Sequence, residues 1–300
     1  MAKPASPTDP LRADALLAGV AAPAAEQLLA AAVAARLHGG AEPLHALRLA
    51  LRRMRAALAI CRPLLSARRY QLLRSDLRWL MAATGPARDW DVLLGETLVP
   101  LLPATPEPGQ QALLRLAETQ RQRARRQAGA ALSQPRSRRL LAELELLLAQ
   151  CRDPSLLPQR RAAAPGGPSL ATTVGGLLER RHRQLRRRAR DFQQLDGEQR
   201  HRLRLRIKGQ RYRAELLADF YPGAAASAYV ERLKKAQDRL GKAHDLEVAG
   251  LLLAGLNCRS ELSRRFRDRL REQCVRLAAE RQAAQRRPRL GPKRAPRFWR

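Results

Sequence analysis

The side chains with the clearest capacity for chemistry form a row of positive charge near residue 50. They recur three, four and three residues apart, at His45, Arg48, Arg52 and Arg55. Residues with this spacing stack along one face of an α-helix. An apolar row runs one position earlier, at Leu44, Leu47, Leu51, Met54 and Leu58. The cationic row is therefore predicted to border the packed face of its helix. We interpret the histidine as completing this row.

The same pattern returns 156 residues later as an internal repeat. The second row consists of His201, Arg204, Lys208 and Arg211. Without a gap, the same offset aligns a second window, in which Leu77, Gly85, Ala87, Asp89 and Val92 meet Leu233, Gly241, Ala243, Asp245 and Val248. Two separate windows in one register predict two homologous helical halves related by an approximate twofold axis.

A row of like charges is costly unless an anion offsets it. Like charges four residues apart destabilise a helix by about 0.2–0.5 kcal/mol per pair. The acidic pairs that follow the rows, Asp89 with Asp91 and Asp245 with Glu247, are expected to supply part of the compensation. A bound polyanion would supply it more fully, and a solvated charged surface is the ordinary alternative. The repeat favours an anion-binding face, because cation type and spacing persist while the intervening residues change.

Sequence signatures of catalysis and of metal binding do not occur. There is no glycine-rich phosphate loop ending in Gly-Lys, no His-Glu-x-x-His and no other close histidine pair. The four cysteines are far apart and form no Cys-x-x-Cys pair. We therefore expect a binding protein with no cofactor and no metal, not an enzyme. A phosphate-transfer or hydrolytic role for His45 or His201 is the alternative hypothesis.

The composition indicates a basic, all-α protein. The 300 residues include 58 Lys and Arg against 27 Asp and Glu, which gives a net charge of +31. Apolar residues make up 45%, enough for a core, whereas aromatic residues make up 4% and β-branched residues are scarce beside Leu and Ala. The longest apolar stretches, 28–35 and 248–256, are too short to cross a bilayer, so no membrane partner is expected. The cysteine usage fits a reducing cytoplasm.

Proline and glycine divide the chain into about ten helices in two halves. The predicted organisation is an N-terminal segment 1–9, a first helical half 10–151, a Pro/Gly-rich linker 152–169, a second helical half 170–286 and a basic tail 287–300. Ser66 is expected to cap a helix that Gly85 ends. Gly241 is expected to separate two helices, 224–240 and 242–256. The tail is interpreted as disordered, and it either holds a polyanion nonspecifically or is merely solvated.

The repeated motif His-x-x-Arg-x-x-x-Arg/Lys-x-x-Arg, followed in each half by Gly-x-x-Arg/His-Asp-x-Asp/Glu-Val, resembles the CHAD family, the conserved histidine α-helical domain. The resemblance covers roughly residues 10–285. It implies two pseudo-symmetric four-helix bundles lined by a basic channel that binds inorganic polyphosphate. The phosphate contacts expected here are His45, Arg48, Arg52, Arg53, Arg55, Arg78, Arg88, His201, Arg204, Lys208, Arg211, Tyr212 and Lys234.

The expected ligand is inorganic polyphosphate, and general nucleic-acid binding driven by net charge is the alternative. Single-stranded nucleic acid is usually recognised by stacked aromatic side chains, of which this chain has few away from its tail. Polyphosphate has no bases, and guanidinium groups hold phosphate oxygens bidentately. We therefore expect a standalone cytoplasmic binding module that associates with polyphosphate granules, while the oligomeric state stays open.

Overall fold

The structure, a computed structural model, describes residues 13–98, 101–103, 105–153, 170–221, 224–290 and 298–299. Every regular element in these ranges is a helix, which confirms the predicted all-α fold. The predicted N-terminal segment 1–9 and nearly all of the predicted linker 152–169 lie outside the described residues.

The first half contains seven α-helices. Their bounds are α1 Ala13–Leu16, α2 Ala22–His38, α3 Ala41–Ile60, α4 Ala67–Ala83, α5 Gly85–Val92, α6 Pro108–Ser133 and α7 Pro135–Arg152, with π-helical turns at Leu17–Ala21 and Leu93–Leu98. Gly39 and Gly40 turn the chain between α2 and α3 at φ angles of 59° and 80°, which glycine adopts without steric cost. The Ser66 side chain accepts a hydrogen bond from the backbone N–H of Arg69, which confirms the predicted cap of α4.

The second half contains four α-helices. Their bounds are α8 Leu170–Arg188, α9 Gly197–Leu217, α10 Ala224–Ala254 and α11 Glu261–Ala284. Asp196 begins α9 with a capping box, because its carboxylate accepts from the Gln199 backbone while the Gln199 side chain accepts from the Asp196 backbone. In the register of the repeat, α3 corresponds to α9, and α4, α5 and the following π-helical turn correspond to α10.

Helix packing brings the two cationic rows to the junction of the halves. In the first half, α2, α3, α4 and α7 form a closed ring in which each helix packs on the next. In the second half, α9 packs on α8 and α10, and α10 packs on α11. Helix α6 packs on both α5 and α11, while α3 packs directly on α9. The helices that carry the repeated motif therefore meet face to face.

The apolar rows beside the cations form part of the core. The buried members are Leu44, Leu47, Leu51, Met54 and Leu58 in α3 and Leu203, Ile207 and Ala214 in α9. Burial of each large side chain stabilises the fold by about 1.5–3 kcal/mol. Gln210 interrupts the row in α9, and its buried amide donates to the Leu178 carbonyl at 3.2 Å and to the Tyr229 hydroxyl at 3.3 Å. These contacts fix the rotation of both helices and hence the direction of the cations.

Two predicted helix boundaries are wrong. Gly85 does not end α4 in a left-handed conformation, since it begins α5 directly after Thr84. Gly241 does not separate two helices, because α10 runs through it from Ala224 to Ala254. Neither glycine acts as a terminator; each lies beside an arginine of a cationic row.

The tail is not disordered in its described part. Leu290 and Trp299 are buried. The Trp299 indole donates to Glu179 Oε2 at 3.2 Å, and its ring centroid lies 4.9 Å from that of Tyr229. Phe298 packs edge-on against Trp299, with 4.8 Å between ring centroids. The aromatic residues of the tail therefore pack between α8 and α10, and so they are not free to stack on a ligand.

One helical segment is longer than the two apolar stretches, 28–35 and 248–256, that the sequence analysis considered as membrane spans. Within the described residues, 17–38 combines the length and the composition of a membrane span, with a mean hydropathy of 1.5. Of its most apolar 18-residue window, 39% is buried, including Val20, Leu28 and Ala32. The expectation drawn from the two shorter stretches therefore missed this segment. A core helix packed on α3 and α7 has the same apolar composition.

Candidate anion-binding cleft

The two motif helices enclose a cleft of about 500 Å³. Its cationic lining residues come from α3, α4, α8 and α9 and are Arg48, Arg52, Arg55, Arg74, Arg181, Lys208 and Arg213. No carboxylate occurs among the described residues that line it. Charges of one sign in a recess with apolar walls focus the electrostatic field. The cleft therefore attracts anions.

Arg48 is held in position by the protein itself. Its Nη1 donates to the Met81 carbonyl at 2.8 Å and to Thr84 Oγ1 at 3.2 Å. Its Nε is buried and has no hydrogen-bond partner in the described part of the chain. Burial, reinforced by repulsion from Arg52, lowers the pKa of Arg48 to about 10, so the guanidinium is still charged at neutral pH. The group is thus oriented while some of its donors stay unused.

Arg204 occupies the corresponding position in α9 and lies against the backbone of α10. Its Nη2 is 3.9 Å from Asp245 Oδ1. At Gly241, a Cβ atom would come within 3.2 Å of the same Nη2. At the aligned Gly85, a Cβ atom would lie 3.8 Å from Arg48 Nη1. Gly241 therefore leaves room for the Arg204 guanidinium, whereas a side chain at Gly85 would make only an ordinary contact with Arg48.

Lys208 connects the two rows electrostatically. Burial, followed by repulsion from Arg52 and Arg204, lowers the pKa of Lys208 from 10.5 to about 7. Arg52 belongs to α3 and Arg204 to α9, so Lys208 is within the electrostatic reach of both rows. A lysine in this environment is only partly protonated at neutral pH, and a nearby anion would favour its charged form.

The two motif histidines do not line the cleft. Burial lowers the pKa of His45 below 6.5 and, together with His244, lowers that of His201 to about 4. The rings of His201 and His244 stack with their centroids 3.7 Å apart. In the free protein both motif histidines are therefore neutral at pH 7 and do not complete the cationic row as predicted. Among the described residues, no group of three or more His, Cys, Asp or Glu side chains could hold a metal ion.

Three of the predicted phosphate contacts lie on α3, α4 and α10 outside the cleft lining. Arg53 is half-buried, and Arg78 and Lys234 are exposed. Arg78 is still close enough to Arg55 that its repulsion, after burial, lowers the pKa of the Arg55 guanidinium. Arg78 therefore adds to the positive potential at the cleft without lining it.

Two further predicted contacts, Arg88 and Arg211, are engaged by neighbouring side chains. Arg88 forms an ion pair of 2.7 Å with Glu96. Arg211 donates from Nε to Gln237 Oε1 at 3.2 Å, and its guanidinium carbon lies 4.5 Å from the ring centroid of Tyr212. Tyr212 itself is buried and lines the cleft.

Four charged or aromatic lining residues are missing from the sequence prediction. They are Tyr70, Arg74, Arg181 and Arg213. Arg74 precedes Arg78 by four residues and shares its helix face, so periodicity could have indicated it. Burial, together with repulsion from Arg181, lowers the pKa of Arg213 to about 10. No sequence signal marks Arg181 or Arg213, because arginines occur on several faces of α8 and α9.

The acidic residues that follow the rows compensate them only partly. Asp91 is buried and accepts hydrogen bonds from Arg125 of α6, which is not a motif residue. Glu247 lies 3.3 Å from His244 Nδ1. Asp245 Oδ1 lies 3.9 Å from Arg204 Nη2, and the charge of Asp89 acts on Arg48. The predicted internal compensation is therefore incomplete, which leaves positive charge for an external anion.

The fold and the cleft define a class of protein, an all-helical domain in which two homologous helices face each other across a cationic recess. Residues 19–254 match the sequence model of the CHAD domain. The chain therefore belongs to the CHAD domain family, as the repeated motif indicated. Both motif helices lie inside the matched region, whereas α11 and the tail lie beyond it.

The solved structures that are similar to this chain include one from a plant and one from a Streptomyces. The crystal structure of the CHAD domain from the plant Ricinus communis matches with a TM-score of 0.70 and 27% identity, over 93% of this chain and 94% of that chain. PptA from Streptomyces chartreusis matches with a TM-score of 0.64 and 20% identity, over 90% of this chain and 97% of that chain. No curated protein sequence matches. The ligand has to be inferred from the chemistry of the cleft.

Proposed function

We propose that this protein binds inorganic polyphosphate in the cleft between α3 and α9. One observation carries the proposal: seven cationic side chains line the cleft, and no carboxylate occurs among its described lining residues. Each guanidinium can donate two parallel hydrogen bonds to phosphate oxygens. Such a lining suits a ligand with many closely spaced negative charges.

The extent of the cationic lining favours a polymer over a single phosphate. Arg48 and Arg55 are seven residues apart on α3, which corresponds to about 10 Å along the helix axis. Lys208 and Arg213 add charge from α9, and Arg181 adds charge from α8. One phosphate group is too small to contact all of these side chains, whereas a chain of phosphates can contact them in succession.

The aromatic residues of the cleft favour polyphosphate over single-stranded nucleic acid. Tyr70 and Tyr212 are the aromatic residues in its described lining. The guanidinium of Arg62 lies 5.4 Å from the ring centroid of Tyr70, and that of Arg211 lies 4.5 Å from Tyr212. Bases bind single-strand proteins by stacking on open aromatic faces. A polymer without bases has no need of such faces.

Binding without turnover, in the cytoplasm and at polyphosphate granules, is part of the proposal. The described lining of the cleft holds neither a carboxylate nor a histidine, and we assign the near-neutral amine of Lys208 to pairing with a phosphate oxygen and not to proton transfer. All four cysteines are free thiols, and Cys61, Cys258 and Cys274 are buried, which is in keeping with a reducing compartment.

The proposal is tested by comparing affinities for long-chain polyphosphate, single-stranded DNA and RNA at equal charge concentration. The cleft variant Arg52→Gln/Lys208→Gln should bind polyphosphate at least about tenfold more weakly, equivalent to about 1.4 kcal/mol. The control variant Arg123→Gln/Arg126→Gln removes the same formal charge from exposed positions of α6 and should bind like the wild type. Binding should weaken steeply with added salt, because each neutralised phosphate releases counterions.

Three outcomes would contradict the proposal in different ways. Equal weakening in the cleft and control variants would mean that net charge alone drives binding. Displacement of polyphosphate by an equal charge of DNA or RNA would make the protein a general polyanion binder. Release of phosphate from polyphosphate in the presence of a divalent metal would make it an enzyme.

A further inference from the structure

A second cluster of positive charge lies where the chain after α11 folds back over α8 and α10. It lines two adjoining hollows of about 440 Å³ and about 730 Å³, which share Arg287 and Arg289. We call its cations the second basic surface, and they are Arg186, Arg232, Arg239, Lys242, Arg281, Arg286, Arg287 and Arg289. None of these eight residues is among the described residues that line the α3–α9 cleft.

The charge of the second basic surface is almost uncompensated. The smaller hollow has no carboxylate in its described lining, and the larger hollow has Asp238 alone. Within the part of the chain that the structure describes, none of the eight cations forms an ion pair. The Nε of Arg232 is buried without a hydrogen-bond partner there. Mutual repulsion among such groups is relieved when an anion binds.

The backbone that presents these cations is anchored. Pro288 and Leu290 are buried, while the alternating Arg287 and Arg289 are exposed. The side chain of Gln285 donates to the Arg239 carbonyl at 3.4 Å and so connects the segment to α10. Side chains on a fixed backbone lose less conformational entropy when they bind a ligand than those on a mobile tail.

The second basic surface is separate from the cleft in the fold, although α8 contributes a cation to each. Lys242 follows Gly241 directly and is therefore rotated by about 100° around α10. Since Gly241 faces Arg204 of the motif row, Lys242 belongs to another face of that helix. The residues 281–289 lie beyond the region 19–254 that matches the family. The family match therefore covers Arg186, Arg232, Arg239 and Lys242 but not the other four cations of this surface.

We propose that the second basic surface binds a second segment of phosphate polymer, so that one protein molecule holds two segments at once. This inference rests on the proposed function. Eight cations spread over two adjoining hollows exceed what a single phosphate can contact. Neither hollow has an aromatic side chain in its described lining, so nucleic-acid bases would find no stacking partner. A polymer without bases fits best.

Two separate surfaces for one polymer have a physical consequence. A long chain bound in the cleft can have another of its segments captured by the second basic surface, at the high effective concentration that tethering provides. Segments of different chains can be captured in the same way. The protein then cross-links polyphosphate, which is a property that a granule component would need.

The inference is tested with the full-length protein and two lengths of polyphosphate. Calorimetric titration with short chains, which cannot reach both surfaces, should count two sites on the wild type. Light scattering with long chains should detect cross-linked complexes. The variant Arg239→Gln/Arg287→Gln/Arg289→Gln alters three exposed side chains and should keep one site, with scattering reduced at least about tenfold. The corresponding triple lysine variant retains the charges and should keep both sites.

The outcomes separate this inference from the proposed function. A matched triple variant on α6, Arg115→Gln/Arg123→Gln/Arg126→Gln, should keep both sites, and thermal melting checks that each variant is folded. The proposal of a second binding surface is overturned if the wild type has a single site. It is also overturned if the glutamine variant at 239, 287 and 289 keeps the stoichiometry and scattering of the wild type. Neither result affects the proposed function of the cleft. Absence of any polyphosphate binding contradicts the proposed function instead. If the glutamine variant at 239, 287 and 289 loses duplex DNA binding but still cross-links polyphosphate, the surface binds nucleic acid instead, and the inference is overturned.

Discussion

Polyphosphate binding should depend on pH through Lys208. Burial and the repulsion of Arg52, Arg204, Arg211 and Arg48 place the pKa of this amine at about 7 in the free protein, against 10.5 for an ordinary lysine. A phosphate oxygen beside the amine counters that repulsion and raises the pKa again. At pH 7 Lys208 is therefore protonated in the complex, whereas it is only half protonated in the free protein. Binding is strongest below pH 7 and weakens as the pH rises through 7.

The size of the effect follows from proton linkage. A single group with a pKa near 7 in the free protein and well above 8 in the complex changes the affinity by about tenfold between about pH 6 and pH 8. At pH 7 the binding reaction takes up about half a proton per site. The other shifted groups titrate elsewhere, because the pKa of His201 is about 4 and that of Arg48 about 10. Lys208 is therefore expected to dominate this range.

Calorimetry in two buffers of different ionisation enthalpy measures this proton uptake directly. Long-chain polyphosphate is the suitable ligand, because its terminal groups, which titrate near neutral pH, are few. The variant Lys208→Arg keeps the positive charge but does not titrate, so its affinity should be nearly constant from pH 6 to pH 8. A flat profile for the wild type, or an equal slope in the arginine variant, would refute the assignment of the linked proton to Lys208.

Three further predictions concern packing around the cleft and the tail. Gly241→Ala should weaken polyphosphate binding in the affinity assay, because the new Cβ would lie 3.2 Å from Arg204 Nη2 and shift that guanidinium; Gly85→Ala, whose Cβ would lie 3.8 Å from Arg48 Nη1, should keep its affinity. Trp299→Ala should lower the free energy of unfolding in urea by about 3 kcal/mol, since it empties a buried site. Asp76→Asn should cost about 2 kcal/mol in the same assay, because the buried carboxylate accepts hydrogen bonds from two arginines.

Local spacing was sufficient to predict the helices and the cationic rows. A helix places every third or fourth residue on one face, so the leucines beside Arg48 and Arg52 determine which way those arginines point. The repeat added a second, independent copy of the same pattern at Arg204 and Lys208. The predicted cap at Ser66 likewise depends on neighbours three residues away. Each of these features is decided within a few turns of one helix.

Contacts between distant segments could not be predicted in this way. Arg74, Arg181 and Arg213 join the cleft because α4, α8 and α9 converge there, and nothing in their own surroundings in the sequence distinguishes them from other arginines. Glycine at a helix end and glycine beneath an arginine look alike in a sequence, which is why the interpretation of Gly241 was wrong. Burial of Trp299 likewise depends on α8 and α10, which lie far from it along the chain.

By itself, the amino-acid sequence determined that this protein is helical, strongly basic and internally repeated, because those properties depend on composition and short-range periodicity. Only the tertiary structure decided that Arg48, Arg52 and Arg55 of one row and Lys208 of the other line one cleft, that the motif histidines lie outside it and are neutral, and that Lys208 titrates near pH 7. Those properties arise from desolvation and from charges on other helices, and both depend on which surfaces the folded chain brings together.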